Sequence, residues 1–254
     1  MNKLAVLIPS YNESDNLNEI ISEVNEKINE LIKNNKISKE SSIIIIDDGS
    51  TDNSWQEIEK IKNKFDNLKA IQLSKNFGHQ VALYAGIKEF YNNFDFSISL
   101  DADGQHDISK FNVLIDHYYS GNEIVIAVSD RKDDTLFKKI TAKFYYKLLN
   151  LISSEKIEPN HADFRLISKK VMEEITKYEN KNIFLRGIIS TLNFNKKVIS
   201  YSLKKRKLGR SKYSFSKMIK LALDGVTSQS IYPLRLSTIL GLIIIIFCFF
   251  SSLL

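Results

Sequence analysis

Phe96-Ser-Ile-Ser-Leu-Asp-Ala-Asp-Gly-Gln-His106 sets a short apolar run directly against a pair of carboxylates. The run is too short for a helix and ends in a polar loop, so residues 96–100 read as a buried strand. Three earlier segments repeat the arrangement. Residues 4–8 lead into Pro9-Ser-Tyr-Asn-Glu13, 43–46 into Asp47-Asp-Gly-Ser-Thr-Asp52, and 70–73 into Ser74-Lys-Asn-Phe-Gly78. Residues 124–128 make a fifth buried strand. Between the strands lie helical stripes: Leu17, Ile20, Ile21, Val24, Ile28 and Leu31; then Trp55, Ile58, Ile61 and Phe65; then Ile108, Phe111, Leu114, Ile115 and Tyr118. Strands alternating with helices predict an α/β sandwich with a mostly parallel sheet. Ligands of such sheets bind outside the carboxyl ends of the strands, so the polar loops carry the function.

Asp101 and Asp103 follow the fourth strand with one residue between them. In extended chain such a pair points the same way, so both carboxylates face one ion. Hard oxygen ligands that leave room for phosphate oxygens suit Mg²⁺ or Mn²⁺. Gln105, one further step along, and His106 complete or border that shell. Asp-x-Asp by itself is common in solvated turns and helix caps; its place at a buried strand end gives it weight. Asp47 and Asp48 end the second strand. Asp52 reads as a cap for a helix beginning near Ser54. Asp48 is placed to accept a hydrogen bond from a base N–H. His79, His106, His117 and His161 show no metal-ligand spacing and read as mostly structural, and Trp55 reads as core. Neither Gly-x-Gly-x-x-Gly nor Gly-x-x-x-x-Gly-Lys-Ser/Thr occurs, which excludes the common dinucleotide and ATPase phosphate loops.

The 254 residues are 43% hydrophobic with a net charge of +6, enough for one large core. The charge is uneven: Lys196 to Lys220 holds ten Lys or Arg residues and no Asp or Glu. A basic block before an apolar segment suits an anionic membrane surface, and no nucleic-acid partner is expected. The only cysteine, Cys248, excludes a disulfide framework and fits a reducing compartment. The N-terminal apolar run is too short for a signal peptide. Residues 237–254 (STILGLIIIIFCFFSSLL) carry no charge over a length at the lower limit for crossing a bilayer. With Arg235 and the basic block on its N-terminal flank, the positive-inside rule puts residues 1–233 in the cytosol. The expected organisation is a catalytic domain over 1–211, a juxtamembrane amphipathic helix over 212–233 and one transmembrane helix over 234–254. The chain stops where that span would end, so the expectation is either a helix cut short or one that ends inside the bilayer.

Taken in order, Pro-Ser-Tyr-Asn-Glu, Asp-Asp-Gly-Ser-Thr-Asp, Lys-Asn-Phe-Gly and Asp-Ala-Asp-Gly-Gln-His resemble the family-2 glycosyltransferases of GT-A fold. Ala162-Asp-Phe-Arg-Leu-Ile-Ser168, Asn182-Ile-Phe-Leu-Arg-Gly187, Arg206-x-x-Gly-x-Ser-Lys-Tyr213 and Pro233-Leu-Arg235 are similar to the polyprenyl-phosphate glycosyltransferases within it. These are relatives of dolichol-phosphate mannose synthase and of bacterial enzymes that load glucose on undecaprenyl phosphate. The resemblance implies a nucleotide-sugar donor held by Pro9, Tyr11, Asn12, Glu13, Asp48, Asn76, Gly78, Asp101, Gln105, Arg206 and Lys212. It implies a metal on Asp101, Asp103 and Gln105, and Asp163, Arg165 and Asp103 as catalytic residues beside the reacting sugar. Arg131, with Lys139, matches the site of the acceptor phosphate. The implied acceptor is polyprenyl phosphate at the cytosolic face of the inner membrane, the donor a UDP-sugar ahead of GDP-mannose, and the assembly a homo-oligomer such as a tetramer. Two departures stand out: Ala162 replaces the usual Gly before Asp-Phe-Arg, and one C-terminal membrane helix is present where bacterial members carry two.

Further residues fit the membrane side. Over 135–152, Phe137, Ile140, Phe144, Leu148 and Leu151 form a helical stripe with Lys138, Lys139, Lys143 and Lys147 on other faces. This reads as an interfacial helix at the acceptor mouth. A phosphate monoester ionises for the second time near pH 6, so the acceptor needs little deprotonation at neutral pH. A base role and an orienting role both stay open for Asp163. Other readings are weaker. A processive polysaccharide synthase carries Gln-x-x-Arg-Trp late in its domain, and the only tryptophan here is Trp55. A nucleotidyltransferase needs a Gly-rich loop where Pro9–Glu13 has no glycine. An inactive membrane-anchored scaffold, or transfer to another lipid or glycan acceptor, remains as the alternative.

Overall fold

The computed structural model describes residues 1–129, 161–178, 183–202, 238–239, 241–245, 248 and 251. The chain divides into two compact units, one of Met1–Asp134 with Asn160–Arg210 and one of Thr135–Pro159 with Ser211–Leu254. Nearly all described residues belong to the first. The expected helices at 135–152, 212–233 and 234–254 lie wholly or largely outside the described residues. Among the described residues no helix is long and apolar enough to cross a membrane.

The first unit is built on a seven-stranded sheet. Its strands are β1 Leu4–Ser10, β2 Ser42–Asp47, β3 Leu68–Gln72, β4 Phe96–Ser99, β5 Ile124–Ser129, β6 His161–Ser168 and β7 Lys196–Tyr201, in the spatial order β3-β2-β1-β4-β6-β5-β7. β1, β2, β3 and β4 pair in parallel, as do β5 and β7. Only β6 runs against its neighbours, so the sheet is mixed but mostly parallel, as expected.

β1, β2 and β5 are nearly continuous apolar runs because both sheet faces are covered there. On one face Leu4, Val6 and Ile8 of β1 and Ile43 and Ile45 of β2 pack with Leu17, Ile21 and Ile28 of α1 (Ser14–Lys33), Ile58 of α2 (Ser54–Lys62) and Phe111 of α4 (Phe111–Tyr119). The alternate residues Ala5, Leu7, Ile44 and Ile46 face Leu83 and Ile87 of α3 (His79–Phe90), with Met172 of α5 (Lys169–Thr176) and Ile188 of α6 (Leu185–Thr191) in the same cluster. Each such fully buried side chain contributes roughly 1.5–3 kcal/mol. Trp55 packs partly buried on the first cluster, as its place on the stripe predicts.

Three details differ from the sequence reading. β3 starts at Leu68 and is only partly buried, because it lies at the sheet edge. α3, α5 and α6 were not anticipated. Nor were β6 and β7, which carry charged residues in place of an uninterrupted apolar run.

Candidate active site

The strand order places β1 between β2 and β4, so the chain switches direction of travel across the sheet at β1. The loops leaving β1, β2 and β4 meet at this switch point, where open α/β sheets bind ligands. Asn12, at φ 53°, ties two of them together. Its side-chain oxygen accepts from Thr51 N–H at 2.8 Å, and its own N–H donates to Ser50 Oγ at 2.9 Å. Glu13 N–H donates to Ser54 Oγ and Glu13 Oε2 accepts from Asn16 Nδ2, fixing the start of α1. Pro9 is buried at the end of β1, and Tyr11 sits half-buried beyond it.

Asp47 and Asp48 are both buried, and neither is left to solvent. Asp47 accepts from Ser50 N–H and Oγ and from Gln72 Nε2. Asp48 accepts from the amides of Phe77 and Gly78 at 2.8 and 2.9 Å, one on each oxygen. It thereby docks the 74–78 loop, which carries the exposed Asn76, onto the end of β2. Burial pushes the Asp48 carboxyl up, and those amides offset part of the shift. Asp52 accepts from Ser54 N–H at 2.9 Å across the turn before α2, whose N-cap position is taken by Asn53 and has no side-chain capping bond.

β4 ends at Ser99, so the extended spacing assumed for Asp101 and Asp103 does not hold. The chain turns instead, with Gly104 at φ 70° and Gln105 N–H donating to Asp103 Oδ1 at 3.1 Å. The acidic partner that closes on Asp101 comes from β6. Ser99 pairs with Arg165 in the antiparallel register, and two further residues along that register set Asp163 across from Asp101. The two carboxylates are joined by His79, the first residue of α3. Its Nε2 lies 3.4 Å from Asp101 Oδ1 and 3.0 Å from Asp163 Oδ2, within ion-pair reach but without a hydrogen bond. The histidines showed no metal-ligand spacing in the sequence and read as mostly structural; in the fold, ligand atoms of His79, Asp101 and Asp163 lie within 4.8 Å of one another. The donor set fits a divalent cation. It offers a buried imidazole nitrogen with no hydrogen-bond partner beside a carboxylate that is 39% exposed; the carboxylates suit Mn²⁺ or Mg²⁺, and the imidazole favours the transition metal of the two.

Asp163 is the most heavily compensated charge of the site. Arg165 Nη2 donates to it at 2.7 Å, Arg186 Nη2 at 2.9 Å and Gln80 Nε2 at 3.0 Å to each oxygen. Burial pushes its carboxyl up, but Arg186, His79 and Arg165 together more than offset this and hold it well below the usual carboxylate range. Burial likewise lowers the His79 imidazole, and Asp163 and Asp101 more than reverse it. Gln80 and Arg186 went unassigned in the sequence. Arg186 had a signal, the Asn182–Gly187 segment, while Gln80 had none, because its role depends on a contact with Asp163, 83 positions along the chain. On the other side of Asp101, Oδ2 lies 3.1 Å from His106 Nε2. Arg131, Lys139, Arg206 and Lys212 lie outside the described residues.

Comparisons with known proteins place the chain in a family. The profile for Glycosyl transferase family 2 matches residues 5–176. The chain is 39% identical to the uncharacterized glycosyltransferase YkoT of Bacillus subtilis, over 95% of this chain and 72% of that protein. It is 35% identical to the bactoprenol glucosyl transferase of Shigella phage SfX, over 95% of this chain and 77% of that one. Among solved structures, a glucosyl-3-phosphoglycerate synthase from Mycobacterium tuberculosis, bound to Mn²⁺, UDP-glucose and phosphoglyceric acid, superposes with a TM-score of 0.57 at 12% identity, covering 90% of this chain and 79% of that one. The mannosyltransferase PcManGT of Pyrobaculum calidifontis, with GDP-mannose and Mn²⁺, gives 0.55 at 14%, covering 81% and 58%. At such identities these two speak for the GT-A-like fold alone. The chain is a glycosyltransferase and belongs to glycosyl transferase family 2.

Proposed function

We propose that the protein transfers a sugar, with inversion, from a nucleotide-sugar to polyprenyl phosphate at the cytosolic face of the inner membrane. UDP-glucose or a related UDP-sugar is the favoured donor. The observation that carries this reading is the 35% identity to a bactoprenol glucosyl transferase across 95% of the chain. The basic block and apolar tail of the sequence add the membrane.

The residues suggest how the reaction is divided. The loops at Pro9–Glu13 and Asp48 take the nucleotide, and the Asp101 side of the cleft takes the diphosphate. Asp101 with His79, and Asp103 and Gln105 beside them, are the residues that would hold a divalent cation. Bound there, it supplies positive charge to the departing diphosphate. Both oxygens of Asp163 are already committed to Arg165, Arg186 and Gln80, which suits an orienting role better than proton uptake. The lipid phosphate is already ionised at neutral pH. Asp163 is therefore assigned to orientation, holding Arg186 and Arg165 around the reacting sugar. Arg131 and Lys139 on the acceptor phosphate, and Arg206 and Lys212 on the diphosphate, complete the proposal by resemblance.

The test is a donor screen on membranes containing the full chain, with polyprenyl phosphate and Mg²⁺ or Mn²⁺. Labelled UDP-glucose is expected to place label in the lipid phase, and EDTA to abolish it. Label from GDP-mannose alone overturns the donor choice. No lipid label with any donor overturns the acceptor and favours the scaffold reading.

A further inference from the structure

His106 is buried at 3% exposure, yet both of its ring nitrogens are engaged. Nε2 lies 3.1 Å from Asp101 Oδ2 and Nδ1 lies 2.7 Å from the hydroxyl of Tyr201, the last residue of β7. An ionised carboxylate only accepts, so Nε2 carries the proton. The Nδ1 of a neutral ring then accepts, and the Tyr201 O–H donates. In that neutral tautomer the bonds run one way, Tyr201 to His106 to Asp101. The imidazole has little freedom to leave it. Phe164, which lies between Asp163 and Arg165 on β6, stands 5.1 Å from it centroid to centroid, and the Tyr201 ring 5.8 Å. Phe164 and Tyr201 meet edge to face at 5.3 Å.

The consequence falls on the exposed end of the chain of bonds. With Oδ2 tied back to His106, Asp101 turns Oδ1 toward His79, into the group that fits a cation. A carboxylate with one oxygen restrained and the other forward is pre-organised as a ligand, and partners that do this commonly govern metal affinity. We infer that Tyr201 and His106 are positioning residues, a buried relay that holds the Asp101 carboxylate in the orientation that presents Oδ1 to a divalent cation; this rests on the proposed cation at Asp101.

Binding of Mn²⁺ separates that role from simple core packing. The full chain, purified in detergent, is titrated with Mn²⁺ in the presence of UDP, following free Mn²⁺ by electron paramagnetic resonance, and is melted without metal. Tyr201→Phe keeps the ring and removes the donor; its Kd for Mn²⁺ is expected to rise about tenfold while its metal-free melting temperature stays near wild type. His106→Phe is expected to weaken Mn²⁺ further, toward about a hundredfold, and His106→Gln, which restores an N–H toward Asp101, to recover part of the loss. Wild-type Mn²⁺ affinity in both Tyr201→Phe and His106→Phe overturns the relay and leaves the cation reading standing. A Tyr201→Phe that loses affinity only in step with a lowered metal-free melting temperature also overturns it. No saturable Mn²⁺ on the wild type, or unchanged binding in Asp101→Asn, overturns the cation at Asp101 and the relay with it.

Discussion

At Asp163 four side chains converge on one carboxylate, and this arrangement fixes what a substitution there does. Arg165 is 1% exposed and makes its side-chain hydrogen bond to Asp163, with Nη1 buried and without a partner. Asp163→Asn keeps the shape and removes the charge, so the guanidinium is left buried without a counter-ion. Breaking a buried pair this way typically costs about 3–5 kcal/mol. The variant is expected to melt well below wild type and to lose transfer activity. Turnover near wild type across pH 6–8 would exclude Asp163 as a base and would also weigh against the orienting role. The sign of the pH effect follows from the depressed carboxyl. A group whose folded value is lowered stabilises the fold fully above its unfolded value, near 3.8, and loses that contribution only as pH falls through the lower folded value. Melting temperature is thus expected to show no step from Asp163 between pH 5 and 8, and an acid limb in the pH–rate profile there reports another group.

Elements meet at the site through short, tight connections, and the loop after β2 shows how little room they have. Gly49 sits at φ 63°, and a Cβ on it would fall 2.3 Å from the backbone carbon of Lys75. No flexible side-chain end is available to move aside, so the strain passes to the 74–78 loop that Asp48 docks. Gly49→Ala is expected to destabilise by at least about 1–3 kcal/mol, the scale of a residue forced into a sparsely allowed conformation. It is also expected to raise the KM for the donor more than it lowers kcat. Thermal melting and donor-dependence kinetics check both. This level also marks what was legible beforehand. β1, β2 and β5 are nearly uninterrupted apolar runs with both faces covered, and β4 is a short buried segment broken only by small serines, so their pattern alone reveals them. β6 is not such a run, because it carries Asp163 and Arg165 in its middle, and charged residues in a strand contradict the pattern that strands are found by. Missing β6 removed the geometric reason for Asp163 to face Asp101, which then rested on resemblance alone. His79 was missed for a related cause: its ligand partners lie 22 and 84 positions along the chain, a distance no local spacing encodes.

On the scale of the whole molecule, the candidate site residues among the described residues all fall in the unit formed by Met1–Asp134 and Asn160–Arg210. The second unit, Thr135–Pro159 with Ser211–Leu254, gathers both segments whose sequences read as membrane-facing. Two physically distinct attractions are therefore expected to act on the full chain at a membrane. The ten basic residues between Lys196 and Lys220 draw it to anionic headgroups, an attraction that falls off within a Debye length and is suppressed by salt. The uncharged 237–254 segment is held by apolar burial, which salt does not weaken. Washing membranes in about 1 M salt, where the screening length is about 3 Å, separates the two. Retention of the protein through the wash, with release only by detergent, is the expected result and supports an apolar anchor. Complete release by salt would mean that charge alone holds it, and that the 237–254 segment does not enter the bilayer. The same preparation tests orientation. With the active site facing the cytosol, inside-out vesicles are expected to glycosylate lipid from added UDP-sugar, whereas sealed right-side-out vesicles stay silent until permeabilised, because a doubly charged nucleotide-sugar does not cross the bilayer unaided.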